Sequence, residues 1–242
     1  MVCRRVGKSC EIKSMKTAVI IFSRLGSSRL PGKALKVISG KTLIDRVVDR
    51  VLKVKGQPMV VVAASENCAD DGLVEHLQRR GIDVFRGPSE DVAARAGLCA
   101  DYFKLDQFVR ISGDSPFIEP GLIDLGLERA YNEEIDLVTN VFPRTFPAGA
   151  SVEIIRTKAF KKVLECANDP YDREHITSYF YKNPNEFRIA NFLSPDCTLG
   201  KINLAVDTID DLKRACWMIE TFGENLDLNL AAEKSCLWRP TK

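Results

Sequence analysis

Two runs of β-branched and small apolar residues, TAVIIFS at 17–23 and PMVVVAAS at 58–65, carry almost no polar side chain on either face. A strand with one wet face alternates apolar and polar residues, whereas a strand covered on both faces reads as a continuous apolar run. A sheet enclosed by helical layers is therefore expected. Further short runs, DVF at 83–85, FVRIS at 108–112 and DLVTN at 136–140, read as strands.

Helical patterns fall between them. Over 43–54, Ile44, Val47, Val48, Val51 and Leu52 share one face. Asn67 precedes a second helix, with Asp70 and Asp71 at its positive N-terminal end. The stretches 89–103 and 120–131 supply two more. Right-handed βαβ crossovers then give an α/β fold whose sheet is mostly parallel. After Asn140, SVEII, RIANF and INLAVD are expected as strands, some of them antiparallel, around helices near 157–168 and 172–182. With no repeat and no low-complexity linker, 17–242 reads as one domain. A substrate-binding insertion is expected in its second half, over about 141–205.

At 242 residues, the chain can bury a sizeable core, and no apolar run approaches the roughly 20 residues of a spanning helix. Residues 1–16 hold five basic residues against Glu11, so the formal charge of +2 hides a slightly acidic body. That balance argues against a nucleic-acid partner, which calls for a basic stripe. Residues 1–16 are expected to form a disordered leader outside the fold, without the apolar core of a signal peptide. The eight cysteines form no CxxC pair, and most are expected to be free, reduced core thiols, as in a reducing cytoplasm.

In such sheets, ligands collect at the carboxyl ends of the strands. The loop after the first strand carries Arg24, Gly26, Ser27, Ser28, Arg29, Gly32 and Lys33. Glycines let amides approach an anion, hydroxyls add donors, and three cations suit a triphosphate. The spacing is not that of a Walker A loop, and Ala34 stands where Ser or Thr would bind magnesium. Asp114 follows the FVRIS strand in Gly-Asp-Ser-Pro; it can hold Mg²⁺ against phosphate oxygens or form an Asx turn before Pro116. Asp207 lies just outside a helix capped by Thr208 and Asp211, and a metal bridging phosphates commonly needs a second carboxylate. In DPYDREHITSYF, Asp172, Arg173, Glu174 and His175 form either a charged helix start or part of an acceptor site. Arg144 in VFPRTFPAG joins the second reading, because two arginines and a histidine suit a carboxylated acceptor.

Six motifs occur in one order: RLGSSRLPGKAL, GPSEDVAAR, RISGDSPFIEP, NVFPRTFPAG, DPYDREHIT and AVDTIDDL. Together they closely resemble the CMP-Kdo synthetase-like cytidylyltransferases, in the branch of spore coat polysaccharide biosynthesis protein F. The likeness runs over about 17–220. It implies a three-layer αβα, Rossmann-like fold of the glycosyltransferase-A type. It also implies transfer of CMP from CTP to a sugar, with Mg²⁺ as cofactor and a homodimer as assembly. By similarity, Arg24, Gly26, Ser27, Ser28, Arg29 and Lys33 would grip the triphosphate. Ser65, Ser89 and Asp91 would lie near the cytidine, and Asp114 and Asp207 would hold the metal. Arg144, Arg173 and His175 would face the acceptor.

The branch pattern PRTFPDGLDVE reads PRTFPAGASVE here, so Ala148 and Ser151 stand where acidic residues are usual. The departure touches the expected sugar side and leaves the nucleotide motifs intact. Two rival readings fit less well. A glycosyltransferase of the same fold commonly carries Asp-x-Asp after a strand, and this chain has none. A degenerate binding module would be expected to have lost Lys33 or an aspartate, and none is lost.

Overall fold

The computed structural model describes residues 15–131 and 134–239. Of the leader expected at 1–16, residues 1–14 therefore lie outside the described residues. Lys16 is already tied down, its N–H donating to the Asp106 carboxylate at 2.8 Å.

The chain opens with β1 (Thr17–Phe22), a two-stranded ribbon of β2 (Val37–Ile38) and β3 (Lys41–Thr42), and helix α1 (Leu43–Val51). Then follow β4 (Met59–Ser65), α2 (Asp71–Arg79), β5 (Asp83–Gly87), α3 (Val92–Tyr102), β6 (Gln107–Ser112) and α4 (Pro120–Ala130). The second half holds β7 (Leu137–Thr139), β8 (Glu153–Arg156), α5 (Thr157–Cys166), α6 (Pro170–Glu174), α7 (Ser178–Lys182), β9 (Ile189–Asn191), α8 (Ile209–Phe222) and α9 (Leu228–Ser235).

The main sheet has seven strands in the order β5-β4-β1-β6-β8-β7-β9. Only β8 runs against its neighbours; the other pairings are parallel. The mostly parallel α/β sheet with a smaller antiparallel part is thus as expected. Successive residues of β1 and β4 bury into opposite layers. Val19, Ile21, Val60, Val62 and Ala64 join the core beneath α1, α2, α4, α8 and α9. Ala18, Ile20, Val61 and Ala63 join a second core beneath α3, α5 and α7. Both faces are dry, which is why those strands read as unbroken apolar runs. Phe108 on β6 meets Phe160 of α5 edge-on at 5.4 Å, tying this second layer to the sheet.

Capping chemistry sets the helix starts. Thr208 and Asp211 form a reciprocal capping box on α8, as the sequence predicts, and Thr42 and Asp45 form another on α1.

Three expectations are corrected. INLAVD is not a sheet strand. Leu204 and Val206 bury their side chains, but their N–H groups donate to the carbonyls of Ala148 and Asp114, both in loops. An apolar alternation looks the same whether its backbone partner is a strand or a loop. The single helix expected at 172–182 is two short ones, α6 and α7, separated at His175. Of the described cysteines, only Cys99 is a buried core thiol; Cys68, Cys166, Cys197 and Cys236 are exposed, and all are unpaired.

Candidate active site

Strand connections leave β1 toward β4 on one side and return to β6 on the other, so the sheet has its topological switch point at the carboxyl ends of β1 and β6. A cleft of about 580 Å³ opens there. Its lining includes Arg24, Arg29, Lys33, Arg95 and Arg110 against three carboxylates, Asp114, Glu174 and Asp207. The excess of cations suits a polyanionic ligand.

The loop after β1 is pinned from behind. Asp70, buried, accepts the Leu25 N–H at 2.7 Å, the Ser65 N–H at 3.0 Å and the Ser65 hydroxyl at 2.5 Å. Its carboxylate therefore anchors the loop and makes no cap hydrogen bond to α2. The Leu25 carbonyl accepts the N–H groups of Ser27 and Gly32 at 2.8 and 3.0 Å, folding the loop back on itself. Among the described residues, the N–H groups of Gly26, Ser28 and Arg29 find no acceptor in the chain. Adjacent unpaired amides flanked by Arg24, Arg29 and Lys33 form a nest for an anion.

Two other elements deliver the carboxylates. The Gly113 N–H donates to the Phe22 carbonyl at 2.9 Å, and a Cβ on Gly113 would lie 2.7 Å from the Ser23 Cβ. Only glycine lets the end of β6 come this close to β1, which sets Asp114 beside the loop. The Val206 N–H then donates to the Asp114 carbonyl at 2.9 Å, bringing Asp207 alongside. Gly149 works similarly at φ +88°, where an added Cβ would meet the Ala205 nitrogen at 2.7 Å.

The Lys33 ammonium sits between the two carboxylates, 2.9 Å from Asp114 Oδ2 and 2.8 Å from Asp207 Oδ1. Arg29 reaches Asp207 Oδ1 at 3.2 Å. Burial alone would raise the Asp114 carboxyl, but Lys33, with Ser112 and Arg110, outweighs it and holds the group below the usual carboxylate range. Burial would likewise lower Lys33, yet the two aspartates keep it raised and cationic.

Residues placed by the sequence fall into two groups. Arg24, Gly26, Ser27, Ser28, Arg29, Lys33, Asp114, Asp207 and His175 all line the cleft. Ser65, Ser89, Asp91, Arg144 and Arg173 do not. Ser65 is buried against Asp70, and Asp91 caps α3 by accepting the Ala94 N–H at 2.7 Å. Ser89 touches the cleft only through its carbonyl, which accepts from Arg24 at 3.2 Å. Arg173 donates to the Leu164 carbonyl at 3.0 Å and approaches Asp91 at 3.6 Å, turned toward α3 and α5. Arg144 donates to the Ser151 hydroxyl at 3.1 Å, joining one expected acceptor residue to one of the departures from the branch pattern.

Glu174, which the sequence left open as a helix-start charge or part of an acceptor site, lines the cleft, as do Arg95 and Arg110, which the sequence reading missed. Glu174 bridges to Arg24 at 3.0 Å. Arg110 pairs at 3.1 Å with Glu153, its register partner on β8. Glu153 also accepts the Tyr181 hydroxyl at 2.5 Å. Burial first, and Glu153 second, push the Tyr181 phenol far up, so it stays a donor. A charged residue inside the FVRIS strand was the available signal for Arg110.

A cytidylyltransferase family model matches residues 18–227, nearly the whole chain. The chain belongs to the cytidylyltransferase family. Among relatives of this cytidylyltransferase, spore coat polysaccharide biosynthesis protein SpsF of Bacillus subtilis is 28% identical, covering 87% of this chain and 89% of that protein. The 3-deoxy-manno-octulosonate cytidylyltransferase 2 of Hydrogenovibrio crunogenus is 39% identical, covering 70% and 72%. A solved cytidylyltransferase from Leptospira borgpetersenii superposes with a TM-score of 0.86 at 31% identity, covering 91% of this chain and 93% of that one. The Rossmann-like nucleotidyltransferase fold and the enzymatic class of this cytidylyltransferase follow from these likenesses.

Proposed function

We propose that this cytidylyltransferase transfers CMP from CTP to a sugar acid of the 2-keto-3-deoxy or nonulosonic class, releasing pyrophosphate for surface polysaccharide or glycan synthesis. The observation that carries the reading is the cation held between Asp114 and Asp207 at the mouth of the amide nest. The residues present fit a divalent metal. Two hard carboxylate donors face one point that already attracts positive charge, as Mg²⁺ requires, with phosphates and waters completing the shell. When bound, Mg²⁺ would neutralise phosphate charge and polarise the α-phosphate, held by Asp114 and Asp207.

The chain's own groups do the rest. The Gly26, Ser28 and Arg29 amides would bind the β- and γ-phosphates. Lys33 would turn from the carboxylates to the triphosphate and, with Arg24 and Arg29, stabilise the charge of the departing pyrophosphate. An anomeric hydroxyl of the acceptor attacks the α-phosphorus in line, and the bond to the bridging oxygen of pyrophosphate breaks. Catalysis then rests on positioning and charge neutralisation. The anomeric hydroxyl of a 2-keto sugar acid is more acidic than an ordinary alcohol, and its proton passes to solvent as the bond to phosphorus forms, so no side chain is assigned as base. Arg144 and His175 are the residues proposed to face the acceptor. Ser89 and the N-terminal end of α3 flank the nucleotide side. A homodimer in the cytoplasm completes the proposal.

The test is pyrophosphate release with each of the four NTPs, Mg²⁺ and a panel of Kdo-like, nonulosonic and aminated sugars. Release is expected with CTP and a sugar acid, and Asp114→Ala or Asp207→Ala should abolish it. Normal turnover in both variants sinks the metal assignment.

A further inference from the structure

Arg95 is only 2% exposed, yet among the described residues no carboxylate lies within ion-pair distance of it. Its Nη1 donates to the Pro88 carbonyl at 2.9 Å, and its Nε is buried with no acceptor. The nearest acids are committed or turned outward. Glu174 pairs with Arg24, Asp70 holds the β1 loop, and Glu90 is almost fully exposed. Burial and the neighbouring Arg24 guanidinium both press against the charge on Arg95. Taking a guanidinium out of water without a counter-charge is costly, and so is an unmet buried N–H. Such a group is kept where an incoming acceptor repays the cost. Arg95 lies in the floor of the cleft, on α3, beside Arg24.

We propose that Arg95 is a nucleotide-binding residue, donating from the floor of the cleft to an acceptor oxygen of the bound cytidine nucleotide. The proposal rests on the nucleotide-transfer reading given above and adds a contact to it. A phosphate oxygen and the cytosine carbonyl share the chemistry, and ligand truncation tells them apart.

A purely structural arginine and a ligand-binding one respond in opposite ways to replacement. Arg95→Met keeps the length of the stem that packs against Gly87 and removes the unpaired charge. If Arg95 serves the ligand, the unliganded variant unfolds at a temperature no lower than the wild type. Its affinity for CTP, read by titration calorimetry, falls by roughly tenfold or more, as for loss of a hydrogen bond to a charged group. Arg95→Gln, which keeps a neutral amide NH2 donor, should fall between the two. Comparing CTP, CMP and cytidine locates the contact. A penalty that vanishes for cytidine places it on a phosphate, and one that persists places it on the base. A lowered unfolding temperature in both unliganded variants, or CTP affinity within threefold of the wild type, overturns the assignment while leaving the transfer reading standing. If the wild type binds no cytidine nucleotide at all, the transfer reading itself fails and Arg95 falls with it.

Discussion

Lys33 Nζ lies 2.9 Å from Asp114 Oδ2, although 81 residues separate the two in the chain. The same nitrogen reaches Asp207 Oδ1 at 2.8 Å. One side chain from the β1 loop therefore bridges both carboxylates proposed to hold a metal.

Removing that ammonium should uncover a cation site. Lys33→Met is expected to bind Mn²⁺ without nucleotide roughly tenfold or more tightly than the wild type, since a unit charge at contact distance is deleted. Electron paramagnetic resonance of free Mn²⁺ measures it. Adding Asp114→Asn should cancel the gain. The same Lys33→Met change should cost roughly a hundredfold in kcat/KM, because the departing pyrophosphate loses a charge partner.

Gly113 holds β6 against β1. A methyl group there meets the Ser23 Cβ at 2.7 Å and the Phe22 carbonyl at 2.9 Å, so the strands must part. Gly113→Ala should lose about 1–3 kcal/mol of stability by denaturant unfolding, the usual cost of overpacking, and should lose turnover more severely because Asp114 moves with the loop.

Ser151 accepts from Arg144 at 3.1 Å in place of a carboxylate. Ser151→Asp would give Arg144 an internal counter-charge and make it less available to an acidic sugar. The expected result is a raised KM for the acceptor with the CTP dissociation constant unchanged. An equal effect on both constants would remove Arg144 from the acceptor side.

Asp45 clamps α1 to α2, meeting His76 at 2.8 Å and Arg80 at 2.7 Å. Burial alone would raise its carboxyl, but hydrogen bonds from Thr42, His76 and Arg80, with the Arg80 charge, outweigh that and hold it below the ordinary range. A depressed native pKa stabilises above the ordinary value of about 4 and is lost as pH falls through the native one. Asp45→Asn should therefore lower the unfolding temperature at neutral pH, and the gap to wild type should close under acid.

What the sequence made legible was what local chemistry decides. The dry strands β1 and β4, the Thr208–Asp211 box, and the cationic loop after β1 all depend on neighbours within a few residues. What it hid depends on distant ones. Asp70 looks like a helix-start acid until Leu25 and Ser65 are seen donating to it. Arg95 looks like a solvated helix residue until α3 is laid against the cleft. Arg110, Glu153 and Tyr181 become a network only when β8 pairs backwards onto β6.

In the proposed reaction the α-phosphate of CTP is the group that moves to the sugar. The direct measurement follows two labels in parallel, with Mg²⁺ and the sugar-acid panel present. Label at the α-phosphate of CTP should pass into a CMP-sugar, and label at the γ-phosphate should leave as pyrophosphate. Label from the γ-position in the sugar product, or α-label transferred equally well from ATP, GTP or UTP, would contradict the account.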